Sequence, residues 1–417
     1  MAEREPLMSH DHNSGGFLPH MSIGSTFHTC KAVLFSNYIN VLLVFIPLGI
    51  VGGALGWGSV TVFILNFFAI IPLAALLSFA TEELALKVGQ TMGGLLNATF
   101  GNAVELIVSI VALRRGEIRI VQSSMLGSIL SNILLVLGMC FVAGGLKHKE
   151  QEFNTTVAST MSSLMAVATS SLIIPAAMAV TLPKNPELGE KILVVSRATS
   201  IVLLILYILY LFFQLKTHAS LYDGAAQEAE ADQEEATLGP FGACVLLVLD
   251  TVLVAVCAEY LVGSIDDLVT TAGISKTFIG LILIPIVGNA AEHVTAVVVA
   301  TKNKMDLAIG VAIGSSMQIA LLVTPFLVIL GWIIDQPMSM RSNLFDMLMQ
   351  IFTFILSRLL SFSSQYSSQT TLSKTGSPII LKGQCKLGLS YVANIRLMGI
   401  YVIIAVSFYV YPDEVST

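Results

Sequence analysis

The sequence predicts an all-α membrane protein of about 11 transmembrane helices, one leading helix followed by two inverted five-helix repeats. Three observations carry that reading. Hydrophobic residues make up 55% of the 417-residue chain and charged residues only 12%, about half the charged share of ordinary soluble domains. The mean hydropathy of +0.83 reflects apolar stretches long enough to cross a hydrocarbon core. A motif in the first half, Gly101-Asn-Ala-Val-Glu105, returns in the second as Gly288-Asn-Ala-Ala-Glu292.

Residues 1–33 are polar and lack the charged, apolar and small-residue regions of a secretory signal, so they read as a disordered tail. Apolar windows of about twenty residues then place a leading span at 34–54. The first repeat, 55–218, holds spans at 59–80, 91–113, 119–144, 156–179 and 192–214. Residues 219–239 contain the acidic, Ala-rich run from Asp223 to Glu235. Its strong helix formers and repelling like charges fit a solvated linker or a short surface helix. The second repeat, 240–411, holds spans at 240–262, 277–300, 305–331, 342–362 and 394–411, with a Ser-rich insert at 361–393 and a short tail at 412–417.

The repeat extends beyond one motif. The offset from Glu105 to Glu292 is 187 residues, and Gly127-Ser128 meets Gly314-Ser315, and Leu134-Leu-Val136 meets Leu321-Leu-Val323, at the same offset. The copies lie five spans apart, an odd number, so the third and eighth helices cross the membrane in opposite directions. Transporters built this way hold their ions near the midplane, between the repeats.

A carboxylate in the middle of an apolar helix costs roughly 2.5–3.5 kcal/mol on insertion scales, so Glu105 and Glu292 require a reason. At a spacing of four, Gly93, Asn97, Gly101 and Glu105 share one helix face, as do Gly288 and Glu292. The small residues one turn before each acid permit close helix crossing, so that the two carboxylates can face each other. Two hard anionic oxygens with further neutral ones suit calcium, which takes six to eight oxygen ligands. Asn102, Asn289, Ser128, Ser131, Asn132, Ser315 and Gln318 are candidate side-chain donors; the alternative role for each is interhelical hydrogen bonding. Pro285 and the Gly-Asn pairs at Gly101 and Gly288 favour local unwinding, which exposes backbone carbonyls. The same acids account for coupling. Empty, they repel; one Ca²⁺ or two protons neutralise them, so the loaded states cross an occluded form at least cost. His293 is a candidate proton relay, because imidazole titrates near neutrality, or else a packing residue. Glu83, Asp250 and Glu259 are candidates for an access path.

At Gly101-Asn-Ala-Val-Glu-Leu-Ile-Val108 and Gly288-Asn-Ala-Ala-Glu-His-Val294 the chain resembles the Ca²⁺/H⁺ exchanger family, cation/proton antiporters of fungal and plant vacuoles. It looks most like the fungal vacuolar calcium exchangers. The resemblance runs from about residue 34 to 346 and takes in Ala80-Thr-Glu-Glu-Leu-Ala-Leu86, Gly127-Ser-Ile-Leu-Ser-Asn132 and Gly314-Ser-Ser-Met-Gln318. It implies that Glu105 and Glu292 bind calcium and protons alternately, that the Gly101 and Gly288 regions lend carbonyls, and that Asn132 and Gln318 complete or orient the shell. It also implies a vacuolar membrane and an acidic helix between the halves. Residues 361–393 depart from the family pattern, which resumes at Leu397-Met-Gly-Ile-Tyr-Val-Ile-Ile404.

Other classes fit less well. A net charge of −6 gives no basic footprint for nucleic acid. The five cysteines show no metal-ligand spacing and read as packing residues. No serine with a base and no paired aspartates indicate a hydrolase, and no resident cofactor is expected: calcium and protons are the cargo, and the bilayer is the environment. A sodium/calcium or other divalent cation exchanger is the near alternative and a cation channel the more distant one. The oligomeric state is not legible in the sequence.

Overall fold

The computed structural model describes residues 38–88, 90–148, 150–182, 186–221, 238–340, 384–388 and 391–410. The N-terminal tail, the acidic segment, the span expected at 342–362 and most of the insert at 361–393 lie outside the described residues.

The described chain is almost wholly helical. A 3₁₀ turn (Tyr38–Val44) leads into α1 (Phe45–Ala54), followed by α2 (Ser59–Val88), α3 (Gln90–Phe100) and α4 (Ala103–Arg114). Then α5 (Ile118–Leu130) passes through a π-helical turn, Ser131–Val136, into α6 (Leu137–Lys147). After the strand β1 (Glu150–Asn154) come α7 (Thr155–Thr181) and α8 (Pro186–Phe212). The second half holds α9 (Pro240–Gly263), α10 (Ile265–Ala272) and α11 (Lys276–Phe278). A π-helical turn, Ile279–Leu283, connects α11 to α12 (Ile284–Gly288), which is followed by α13 (Ala290–Thr301). A last π-helical turn, Ile319–Val323, joins α14 (Met305–Gln318) to α15 (Thr324–Ile333), and after β2 (Gln384–Gly388) the chain ends in α16 (Tyr391–Val410).

Among the described residues, 6 helices are long and apolar enough to cross a membrane, and two bent pairs raise that to 8. Ile39–Ala54 and Ile395–Val410 are shorter apolar helices. Eight of the expected spans therefore have a counterpart long and apolar enough to cross, while those at 34–54 and 394–411 meet only the shorter helices and that at 342–362 lies outside the described residues. α2 runs to Val88 instead of stopping at 80, and within that extension Glu83 is buried and accepts a hydrogen bond from Leu238 N at 2.8 Å. No strand was expected, yet Glu150–Asn154 pairs antiparallel with Gln384–Gly388. β1 is held at its end by Asp306, whose Oδ1 accepts from Asn154 N at 2.6 Å, while the Asn154 side chain caps α7 by accepting from Thr156 N and Val157 N.

The repeat seen in the sequence recurs as backbone geometry. Helices restart after Asn102 and after Asn289, bends with φ of −109° and −98°. The loop to the next helix passes through a left-handed residue at Gly116 (φ 79°) and at Asn303 (φ 64°). The next helices begin at Ile118 and Met305, and their π-helical turns end at Val136 and Val323. All four landmarks keep the offset already found between Glu105 and Glu292. The extra residue of each π turn widens the helix within an otherwise regular span, a feature frequent at functional sites.

α2 and α9 form the broadest helix pair and run antiparallel, as inverted repeats require. The start of α2 meets α10, with Ser59 Oγ donating to Asp267 Oδ2 at 2.5 Å, and its end meets the entry to α9 through Glu83. The spans from α5 to α6 and from α14 to α15 are the most enclosed, with 67% and 72% of their apolar windows buried, against 28% for α8. The centre of the molecule is thus built from the two copies of the repeated motif, and outward-facing residues such as Ile205, Ile208 and Leu209 of α8 present an apolar surface.

Candidate cation site

The third and eighth spans are each broken at a Gly-Asn pair, by 42° between α3 and α4 and by 58° between α12 and α13. Gly93, Asn97, Gly101 and Glu105 therefore do not form the single continuous face that an unbroken helix would give. The unwinding expected from Gly-Asn and Pro285 takes the form of that break. Its consequence for charge is direct. Glu105 falls in the first turn of α4 and Glu292 in the first turn of α13, where unpaired N–H groups and the helix dipole favour an anion. Each carboxylate so gains a stabilising end that an unbroken span would deny it.

The two copies meet at small residues. A Cβ on Gly288 would lie 3.2 Å from Glu105 Oε1, so the carboxylate of one repeat rests against the Cα of the other. At Gly127 an added Cβ would overlap the carbonyl oxygen of Leu281 and come within 2.7 Å of its carbon. Leu281 is the residue whose i+4 partner is Pro285, so the usual α-helical N–H is missing for it; it lies in the π-helical turn Ile279–Leu283, with its carbonyl close against Gly127 of α5. Gly280 makes the reciprocal approach, with a Cβ there 2.8 Å from Ser123 Cβ. Sequence reading singled out Gly127 as part of a repeated pair but gave no sign that it is the point of closest approach.

Around this crossing the expected oxygens are placed as follows. Asn102 Nδ2 donates to Gln318 Oε1 at 2.7 Å and Asn289 Nδ2 to Ser128 Oγ at 3.2 Å, so each Asn of one repeat reaches the other. Asn289 Nδ2 also donates to Pro285 O at 3.0 Å. Ser315 Oγ donates to Glu292 Oε2 at 2.8 Å, within its own repeat. Ser131 is fully buried and donates to Ser128 O at 3.2 Å, while Asn132 is buried with Nδ2 unpartnered among the described residues. Glu105 and Glu292 lie within electrostatic range of each other.

Three buried acceptors here have no donor among the described residues: Asn102 Oδ1, Glu105 Oε1 and Asn289 Oδ1. Each such atom costs about 1–3 kcal/mol when left unpaired. A cation is the partner that satisfies several acceptors together, and hard oxygens match calcium. Among the described residues no group of three or more His, Cys, Asp or Glu is arranged to hold a metal, so a cation bound here depends on neutral oxygens beside the two acids. His293 is buried with Nε2 unpartnered among the described residues, next to Glu292 in sequence.

The three access-path candidates do not assemble. Glu83 caps the entry to α9, and Glu259 is half-exposed and paired with Arg115 Nη2 at 2.6 Å. Asp250 lies between these levels, nine residues before Glu259 and so about 13 Å along α9. It is 1% exposed.

Residues 58–216 and 242–410 match the profile of the sodium/calcium exchanger protein family. The vacuolar calcium ion transporter of Schizosaccharomyces pombe is 46% identical over 411 residues, covering 99% of this chain and 94% of that protein. A Ca(2+)/H(+) antiporter of Aphanothece halophytica is 44% identical over 322 residues, 73% of this chain and 84% of its own length. Among solved structures, the Ca²⁺/H⁺ antiporter protein YfkE superposes with a TM-score of 0.72 at 32% identity, over 89% of this chain and 99% of that one.

Proposed function

The chain belongs to the sodium/calcium exchanger protein family, and we propose that it is a secondary antiporter moving Ca²⁺ across the vacuolar membrane into the lumen in exchange for protons. The names carried by its relatives support the ions and the membrane. The single structural observation that carries the reading is the meeting of Glu105 with Gly288 across the two broken helices, with unsatisfied oxygens of Asn102 and Asn289 in the same motif pair.

In this reading Glu105 and Glu292 are the exchanging groups, and Asn102, Asn289, Ser128, Ser315 and Gln318 orient them or lend oxygens; Ser131 and Asn132 support the shell, and the carbonyls near Gly101 and Gly288 complete it. His293 passes protons to and from Glu292. The helix ends that stabilise each carboxylate contribute at most about 2 kcal/mol apiece, too little to carry two bare charges through a closed form. Two protons or one Ca²⁺ remove that cost. Transport is therefore obligate exchange, each neutral form crossing in turn by alternating access between the inverted repeats.

The test is ⁴⁵Ca²⁺ uptake into acid-loaded proteoliposomes with an uncoupler control, comparing wild type with Glu105→Gln and Glu292→Gln. Uptake that requires the proton gradient and disappears in both variants is expected. Uptake that follows an imposed Na⁺ gradient would replace the proton with sodium as coupling ion, and uptake indifferent to either gradient would make the chain a channel.

A further inference from the structure

The two copies of the repeat show the same seam in two arrangements. Where α5 meets the Ile279–Leu283 turn the fit is close: a Cβ on Gly127 would overlap Leu281 O, and one on Gly280 would lie 2.8 Å from Ser123 Cβ and 3.1 Å from Ile120 O. The offset of 187 carries Gly127 to Gly314, Ser123 to Gly310, Gly280 to Gly93 and Leu281 to Gly94. There the seam is open. A Cβ on Gly310 or Gly314 would meet nothing within 4 Å, and α14 and α3 scarcely touch among the described residues. Met92 and Leu95 of α3 are 54% and 40% exposed, whereas their mates Ile279 and Ile282 are buried. The molecule is therefore closed beside the site on the face where α4 ends and α11 begins, and open on the face where α3 and α14 begin.

The closed seam runs outward from Asn289 and Ser128 at the site, past the glycine contacts, to a group of charges. Lys276 Nζ donates to Glu117 Oε1 and Oε2 at 3.0 and 2.9 Å and pairs with Asp266 Oδ1 at 2.5 Å. Beside it Arg119 Nε donates to Thr277 Oγ1 at 2.8 Å. Glu117 and Arg119 lead into the α5 side of the seam and Lys276 and Thr277 into the other, so these contacts join one repeat to the other at its mouth. The side chains of Lys276 and Glu117 are 28% and 19% exposed, so water screens that pair only in part; Asp266, 67% exposed, adds less. The open seam has no such end. The mates of Lys276 and Thr277 are Gly89 and Gln90, which carry no charge, and Glu117 and Arg119 are replaced by the opposite charges of Lys304 and Asp306. Asp306 is committed to Asn154 N. Closure on the second face cannot reproduce the ion pair.

We propose that Lys276 is the latch of one of the transporter's two gates: its ammonium, held between Glu117 and Asp266, keeps the site closed to the face where α11 begins and lets go each time the site opens there. Glycine contact is open to either gate, since Gly93, Gly94, Gly310 and Gly314 leave α3 room to approach α14; the ion pair belongs to one gate alone. The latch therefore biases the protein towards the form shown. The inference rests on alternating access between inverted repeats, and not on which ions are exchanged.

Ser123→Cys and Gly310→Cys place a single thiol at mated positions of the closed and the open seam, each in the full chain with its five cysteines replaced by alanine. The rate of reaction with a charged maleimide is measured in detergent, without any ion gradient, before and after adding Lys276→Met, Lys276→Arg or Glu117→Gln. Lys276→Met and Glu117→Gln should each speed reaction at 123 severalfold, to a ceiling of about tenfold set by one charge-assisted hydrogen bond, and leave it the same or slower at 310. Either variant suffices should the other not fold. Lys276→Arg, which keeps the charge, should stay near the starting rates. An unchanged rate at 123 overturns the proposal. So does a rise at both positions, which marks general loosening, or a rise with arginine equal to that with methionine. Calcium uptake judges the antiport reading separately: loss of its proton dependence would revise the coupling ion and leave the labelling result standing.

Discussion

Gly127 and Gly314 occupy the same place in the two repeats but meet different surroundings, which makes them a matched pair for testing how the repeats touch. An alanine methyl at 127 would overlap the Leu281 carbonyl oxygen and stand 2.7 Å from its carbon and from Pro285 Cγ, whereas nothing lies within 4 Å of a methyl at 314. Overpacking by one methyl costs typically 1–3 kcal/mol. The obstacle at 127 is backbone and a proline ring, neither of which can rotate away, so the upper part of that range, about 2–3 kcal/mol, applies. For a unit the size of one repeat this is a fall of about 4–12 °C in apparent melting temperature. Helix propensity adds at most about 1 kcal/mol in favour of alanine at either site. The assay is a thermal ramp in detergent followed by fluorescence-detected gel filtration. Gly127→Ala should melt well below wild type and Gly314→Ala at or slightly above it. Equal shifts in the two variants would refute the close approach of α5 to the Ile279–Leu283 turn.

Further consequences follow from the polar contacts. Asn102→Ala leaves Gln318 without its donor and should destabilise by about 1–3 kcal/mol; a double-mutant cycle with Gln318→Ala should recover part of the loss, and strict additivity would disprove the contact. Glu83→Ala removes the acceptor at Leu238 N and should expose the start of α9 to faster amide hydrogen exchange, with the far end of that helix unchanged. Arg115 and Glu259 are each nearly half-exposed, so their coupling in a double-mutant cycle should be only about 0.2–1 kcal/mol and should weaken with salt.

Much of the fold is legible in the sequence because a bilayer leaves few options: backbone groups must be satisfied within each span, so apolar length alone locates helices. Pro240 and Gly263 bound α9 almost where apolar counting ends it, and the repeat offset marks the central helices. The end of α2 escapes that logic, since charge at Glu82, Glu83 and Lys87 marks the edge of the apolar run but not of the helix, which continues under a tertiary cap. The pairing of β1 with β2 joins residues more than 200 apart in sequence, and no local pattern announces it. At the site, the identity of the two acids is legible, and so is the tendency to unwind at Gly-Asn. Which oxygens find partners is not. Asn102 and Asn289 are equivalent in sequence, yet one reaches Gln318 and the other Ser128 and Pro285, because that depends on how two whole helices cross.

The central claim is that calcium and protons compete for Glu105 and Glu292. It is tested most directly by adding Ca²⁺ to the purified protein in weakly buffered detergent solution and recording the protons released. The account predicts release from wild type in step with calcium binding, and its loss in the Glu105→Gln, Glu292→Gln double variant. Calcium binding by wild type with no release of protons would contradict it.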